Sequence, residues 1–174
     1  MELYKVKMKY IRNLMNVDKT NNIQSISSQR HKHNRVFVGI IVMVDSHEYC
    51  IPLSTVSSKD KYENMRENIT MRKIKNDKNE VIGILNINNM IPIRKEYLIP
   101  YDIDISADDS KKQKEYKLLC QSELKWCNDN CNEITRLAQE LHRIITNNLA
   151  FSKRRICPDY KVLERECDKA KKIK

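Results

Sequence analysis

Glycine is almost missing from this chain, with two among 174 residues, and proline is held to four. So little of either leaves no room for flexible linkers between loosely joined modules, so one domain is expected over residues 1–174. None of the six cysteines (Cys50, Cys120, Cys127, Cys131, Cys157, Cys167) stands in a C-x-x-C pair. That spacing argues against a zinc ribbon, and a reducing cytosol disfavours disulfides. Cys120, Cys127 and Cys131 fall at helical spacing and are expected to be buried, inert thiols. No apolar run approaches the ~20 residues needed to span a bilayer. Met1-Glu2-Leu3-Tyr4-Lys5 carries charges where a signal peptide would have its apolar stretch. A cytoplasmic protein with no membrane partner is the expectation.

Negative charge is also scarce. Thirty-three Lys and Arg against 23 Asp and Glu leave a net charge of +10. Unneutralised Lys and Arg attract polyanions, because binding releases condensed counterions, so nucleic acid is the leading partner class. Apolar residues make up 40% of the chain, enough to bury a core without staples.

Residues 3–6 read as a short strand. Tyr10, Ile11, Leu14 and Met15 form the stripe of a short amphipathic helix. Residues 18–34 are polar, hold the basic run Arg30-His31-Lys32-His33, and read as a loop. The run Arg35-Val36-Phe37-Val38-Gly39-Ile40-Ile41-Val42-Met43-Val44 is rich in β-branched residues and predicts a strand buried on both faces. Asp45-Ser46 is a turn, 47–53 the partner strand, and 54–67 a second polar, basic loop. Residues 69–75 and 81–87 form another hairpin, and Met90-Ile91-Pro92-Ile93 a short edge strand. The class is α+β: a small, strongly bent antiparallel sheet or half-open barrel over about 1–105, with a helical part over about 106–174. There, Cys120, Leu124, Cys127, Cys131, Ile134, Ala138, Leu141 and Ile145 keep a 4-3-4-3-4-3-4 spacing. One long helix over roughly 110–148 is predicted. A last helix follows Cys157-Pro158-Asp159, with Val162, Leu163, Cys167 and Ala170 inward.

RNA can be cut without a metal by its own 2′-hydroxyl. The protein then helps to remove that proton, stabilises charge on phosphorus and protonates the departing 5′-oxygen. Pro52-Leu53-Ser54-Thr55-Val56-Ser57-Ser58-Lys59-Asp60-Lys61 offers four hydroxyls and two ammonium groups past a strand end. His47 begins the strand that delivers this loop, Arg35 and His31 flank the preceding strand, and Tyr10 lies on the first helix. Composition alone does not choose among them, and a solvated Ser/Lys-rich connection has the same make-up.

The order of several motifs does choose. Tyr4-Lys5-Val6…Tyr10-Ile11…Leu14…Val17-Asp18, then Arg35-Val36-Phe37-Val38-Gly39-Ile40, then His47-Glu48-Tyr49-Cys50-Ile51-Pro52-Leu53-Ser54-Thr55 with Lys59 and Lys61, resemble successive segments of the ToxN/AbiQ family of type III toxin–antitoxin endoribonucleases. Gly83-Ile84-Leu85-Asn86…Asn89-Met90-Ile91-Pro92-Ile93 and Cys157…Asp159-Tyr160-Lys161-Val162-Leu163-Glu164…Cys167 are similar to its later segments.

The resemblance implies a Kid/MazF-like twisted antiparallel sheet elaborated with helices. It also implies metal-independent cleavage of RNA to a 2′,3′-cyclic phosphate and a 5′-hydroxyl, with no cofactor and no metal. The implied partners are cellular mRNA as substrate and a repetitive antitoxin RNA, trimmed to pseudoknotted units that block the toxin in closed toxin–RNA assemblies. By position, Thr55 takes the catalytic hydroxyl with Ser54 beside it, and Lys59 the catalytic lysine. Tyr10 and Arg35 take phosphate and RNA contacts, and Phe37 a supporting or stacking place. His31, Lys32, Ser57 and Lys61 join the RNA-binding set. The family's lysine stands two residues after its hydroxyl, whereas Val56-Ser57-Ser58 intervenes here. Either the loop is longer or Ser57 is the hydroxyl that counts, and Lys61 competes with Lys59. The general base is open between His47 and Tyr10. A non-catalytic RNA-binding regulator on the same barrel is the alternative, and a CcdB-like inhibitor of a protein target is a third reading that the positive charge opposes.

Overall fold

A computed structural model describes residues 1–23, 38–55, 64–147 and 155–169, with Val38 and Thr55 described by their backbone. Among the described residues there are seven strands and four helices, running β1 (Leu3–Val6), α1 (Met8–Val17), β2 (Val38–Val44), β3 (His47–Thr55), β4 (Arg72–Lys75), β5 (Val81–Leu85), β6 (Ile91–Ile93), β7 (Leu98–Pro100), α2 (Lys111–Asp129), α3 (Cys131–Thr146) and α4 (Tyr160–Lys169). The strands form one open antiparallel sheet in the order β4-β5-β3-β2-β1-β7, with β6 also on β3.

The hairpin β2–β3 is the centre of this sheet. Asp45 takes φ 51°, the left-handed conformation that a two-residue hairpin turn demands. From that turn the register runs Val44↔His47 to Gly39↔Pro52. On its other edge β3 pairs first with β6 (Glu48↔Ile93 to Cys50↔Ile91) and then with β5 (Leu53↔Leu85 to Thr55↔Gly83). The strand is therefore bonded along both edges and extends through Ser54 and Thr55, two residues further than the sequence predicts. A second turn is closed by the Asn76 side chain, which accepts from Lys78 N at 3.0 Å and Glu80 N at 2.9 Å.

Each face of the sheet carries a core. On one, Ile40, Val42, Val44, Tyr49 and Ile51 pack with Leu137, Leu141 and Ile145 of α3 and with Cys120 and Cys127 of α2. On the other, Cys50, Ile91 and Ile93 pack with Tyr10, Ile11 and Leu14 of α1 and Leu163 and Cys167 of α4. The expectation that β2 is buried on both faces is corrected at Met43, which is 49% exposed while Val42 and Val44 are buried. β7, absent from the sequence reading, pairs with β1.

The single helix predicted over 110–148 is two helices, parted at Asn130. There ψ is 17°, far from the helical value near −42°. The Asn130 side chain donates to the Trp126 carbonyl at 2.8 Å, a local competitor for helix bonding. The break is one residue wide. Asn130 N still reaches Trp126 O and Ile134 N still reaches Asn130 O, so the apolar stripe crosses it in phase. Cys131, expected inside, is only half-buried, while Cys50, Cys120, Cys127, Cys157 and Cys167 are buried. Ser110 starts α2 with a capping box on Gln113, and Asp159 accepts from Val162 N at the start of α4.

Gly39 sits where the two central strands come closest to their own packing. A Cβ there would lie 2.4 Å from the Ile51 carbonyl oxygen and 2.7 Å from Cys50 Sγ. Backbone cannot yield as a flexible side chain does. Gly39→Ala should therefore destabilise by about 1–3 kcal/mol, the range for overpacking a dense core, read as a lower urea midpoint.

Candidate nucleic-acid interface and the two ends of the central strand

Because β3 advances about 3.3 Å per residue, its first and last residues stand about 26 Å apart. His47 and Thr55 occupy those two ends. The predicted site residues therefore separate into two groups, and the structure does not bring His47 to the hydroxyl pair.

At the His47 end a carboxylate–histidine network ties the β2–β3 hairpin to α3 and α4. His47 Nε2 is 3.3 Å from Asp168 Oδ2, and its Nδ1 is 3.8 Å from Glu164 Oε1. The same Glu164 oxygen accepts from Tyr49 Oη at 2.8 Å and faces His142 Nε2 at 2.8 Å. His142 Nδ1 lies 3.3 Å from Asp45, and its ring stacks on Tyr160 at 5.6 Å. Burial pushes the Glu164 carboxyl up, but hydrogen bonds from His142 and Tyr49 and the charges of His142 and His47 outweigh it and leave it below its ordinary value. A groove beside the network has three cations (Arg136, Arg143, Lys161) and three carboxylates (Asp45, Glu140, Glu164) in its wall. Such a wall offers no net attraction to a polyanion. His47 as general base for Thr55 is thus corrected to a clamp residue of this network.

Tyr10 is corrected too. It is 2% exposed, its hydroxyl donates to the Pro92 carbonyl at 2.7 Å, and its ring stacks on Tyr97 at 4.2 Å. Burial, the largest cause, drives that hydroxyl far above its ordinary ionisation range. Pro92 lies opposite Tyr49, six residues along β3 from Thr55. A neutral phenol spent on a backbone carbonyl about 20 Å from the strand end cannot trade protons there.

The Ser54–Thr55 end is built differently. Ser54 is exposed, and its Oγ accepts from Asn86 Nδ2 at 3.0 Å, while Asn86 N donates to the Pro52 carbonyl at 3.0 Å. Asn86 thus pins the last turn of the strand by both its backbone and its amide. Ser54 heads a cross-strand row continued by Ile84 and Lys73. Two strands away, Lys5 pairs with Val38 and holds its Nζ 4.4 Å over the Tyr101 ring. Tyr101 meets Tyr116 of α2 edge-on at 6.3 Å, and Tyr116 is 41% exposed. Hydroxyls, an ammonium and an accessible aromatic face are the groups that hold phosphates and unpaired bases.

Thr55 pairs with Gly83. Over Gly83 lies Glu123 of α2, 3% exposed, with Oε1 lacking any hydrogen-bond partner. A Cβ on Gly83 would stand 2.4 Å from that oxygen. Burial raises the Glu123 carboxyl to about 7. Sequence reasoning missed this residue, although a signal existed: Glu123 shares the apolar stripe with Cys120 and Cys127. Lys5, Asn86 and Tyr116 were missed as well, because only the fold brings them near Ser54. His31, Lys32, Arg35, Phe37, Ser57, Lys59 and Lys61 lie outside the described residues.

An open antiparallel sheet with helices on both faces, and hydroxyls at the end of its central strand, defines a small α+β protein of the toxin type. The fold is that of AbiQ, a lactococcal anti-phage endoribonuclease of the type III toxin–antitoxin class, with 18% identity, a TM-score of 0.77 and 98% of both chains covered. A type III system in which a non-coding RNA pseudoknot selectively inhibits the toxin shares it, at 20% identity and a TM-score of 0.72 over 98% of this chain and 97% of that one. Endoribonuclease ToxN of Bacillus thuringiensis subsp. kurstaki is 24% identical over 145 residues, 80% of this chain and 71% of its own length. The family profile for toxin ToxN of type III toxin–antitoxin systems matches residues 2–168. The chain belongs to the ToxN toxin family.

The raised Glu123 carboxyl makes a signed stability prediction. Between its ordinary value of 4.5 and about 7 the folded chain holds the proton more tightly than the unfolded one, so stability falls as pH rises through that interval. Glu123→Gln should remove the slope, with a gain of up to about 3 kcal/mol at pH 8 and none near pH 4. Urea unfolding of both proteins at the two pH values is the measurement.

Proposed function

We propose that this chain is a metal-independent endoribonuclease toxin. It cleaves RNA by attack of the 2′-hydroxyl on the adjacent phosphorus, leaving a 2′,3′-cyclic phosphate and a 5′-hydroxyl. The observation that carries the reading is the bonding of β3 along both edges up to Ser54 and Thr55. A rigid strand end presents their hydroxyls where β2 also begins, at Val38. Pre-organised hydroxyls beside a cationic group stabilise charge on a phosphorane-like transition state without reorganising. Ser54 and Thr55 hold the phosphate, with Ser57 in reserve, and Lys59 or Lys61 supplies the ammonium. Arg35, Phe37, His31 and Lys32 contact RNA from the segment that precedes β2.

The relatives support the partners of this reading. AbiQ is an anti-phage endoribonuclease, a non-coding RNA pseudoknot inhibits one fold neighbour, and a processed non-coding RNA regulates another antiviral system of the same fold (TM-score 0.76, 18% identity). For this chain the substrate is cellular mRNA and the inhibitor its own repeat-derived pseudoknot RNA, held in a closed toxin–RNA assembly. The surplus of ten positive charges provides the attraction. A cytoplasmic setting fits both RNAs, and among the described residues no helix is long and apolar enough to cross a membrane.

Incubation with an A-rich RNA in EDTA is the test. The wild type should cleave it. Lys59→Ala and the Ser54→Ala/Thr55→Val pair should each lower the rate about 10²–10³-fold, the cost of losing one pre-organised stabilising group, with the fold intact by circular dichroism. Tight binding without any cleavage would replace the nuclease with a non-catalytic RNA-binding regulator.

A further inference from the structure

Glu123 is the one described carboxylate that lies inside the molecule next to the proposed chemistry and has an oxygen without a partner. Placing a carboxyl there costs free energy, since a buried polar atom that makes no hydrogen bond forfeits its hydration. The surroundings are shaped around it. Gly83 lacks the side chain that would collide with Oε1, and Ile74 closes the space from β4. Thr55 is the cross-strand partner of Gly83. Adding the cross-strand spacing to the Oε1–Gly83 separation puts Oε1 within about 9 Å of the Thr55 Cα. Strand alternation assigns position 55 to the same face as Leu53, which packs on the core that α2 covers. A threonine hydroxyl and at most one water bridge such a gap.

We propose that Glu123 is a positioning residue for RNA cleavage, acting through the hydroxyl of Thr55 as the proton store behind the strand end. The proposal rests on the endoribonuclease reading above. In the step, the 2′-hydroxyl proton passes to the Thr55 oxygen while the Thr55 proton passes to the Glu123 carboxylate. The 2′-oxygen–phosphorus bond forms and the phosphorus–5′-oxygen bond breaks. Water protonates the 5′-oxygen, and the hydroxide left behind is neutralised by the Glu123 carboxylic acid, which restores the carboxylate. A proton store works best when it ionises near the operating pH, and burial has moved this carboxyl to about 7. Its titratable neighbours are Tyr116, Cys120 and Cys127 on its own helix, all driven upward by burial and so neutral around pH 7. From the strands packed against it, the groups in contact are Gly83 and Ile74, which do not titrate.

The test is single-turnover cleavage of an A-rich RNA in EDTA from pH 5.5 to 8.5, with the full chain. The wild-type rate at saturating protein should rise through about pH 7 and level off. Glu123→Gln should flatten that limb and lower the pH 8 rate about a hundredfold, the scale of lost proton transfer, with RNA affinity unchanged. Glu123→Asp should restore part of the rate. An unaltered rate and pH profile in Glu123→Gln overturns the proposal, as does a change confined to affinity. Should the glutamine variant fail to fold, the wild-type profile decides: a limb near pH 7 supports the proposal and a flat one overturns it. A wild type that cleaves nothing at any pH overturns the endoribonuclease reading and this inference together. A wild type that cleaves, loses activity in Thr55→Val and ignores Glu123→Gln overturns the inference alone.

Discussion

The backbone ladder of β3 is the constraint on which the rest of the molecule depends. Nine residues are bonded to β2 on one edge and to β6 and then β5 on the other, which leaves the strand no freedom to slide or bend away. A one-residue slip would turn Tyr49 and Ile51 out of their core and Cys50 out of the opposite one. Everything else is placed relative to this rod. The network of Glu164, His142 and Tyr49 anchors one end to two helices, and Asn86 pins the other to the chain that follows β5.

The two buried carboxylates show how the same side chain serves opposite ends. Glu164 is met by a tyrosine hydroxyl and two histidines, and the network is stabilising because its charge is answered on all sides. Glu123 has nothing on Oε1, and the fold carries that cost a few ångströms from Thr55. Uncompensated groups of this kind collect where a protein gives up stability for chemistry. The pairing of Gly83 with Thr55 connects the two facts, since a larger residue at 83 would fill the space that the Glu123 carboxyl occupies.

Much of the sheet was legible in the sequence because its signal is local. The β-branched run through Val44, the Asp45-Ser46 turn and the stripe of α1 each state their structure within a few residues. The break at Asn130 was hidden because a kink one residue wide leaves the 4-3 spacing in phase. β7 escaped because three residues bonded only to β1 carry no periodicity of their own. The candidate site was legible in its hydroxyls and not in its geometry. His47 and Thr55 belong to one strand, and nearness in sequence on a strand means separation in space, about 3.3 Å for each residue. Tyr10 has the chemistry of a proton carrier, yet only the fold shows its hydroxyl spent on Pro92. Glu123 was the opposite case, a charged residue on an apolar stripe whose importance depends on Gly83 and Thr55, some forty and seventy residues away in the chain.

That RNA is cut at the Ser54–Thr55 end of β3, and not at the histidine end, is most directly tested by photo-crosslinking. An RNA carrying a photoreactive nucleotide at the scissile position, irradiated with the protein and mapped by mass spectrometry, should attach within 52–61 or beside Gly83. Attachment to Asp45, His47 or the groove between α3 and α4 would contradict the account.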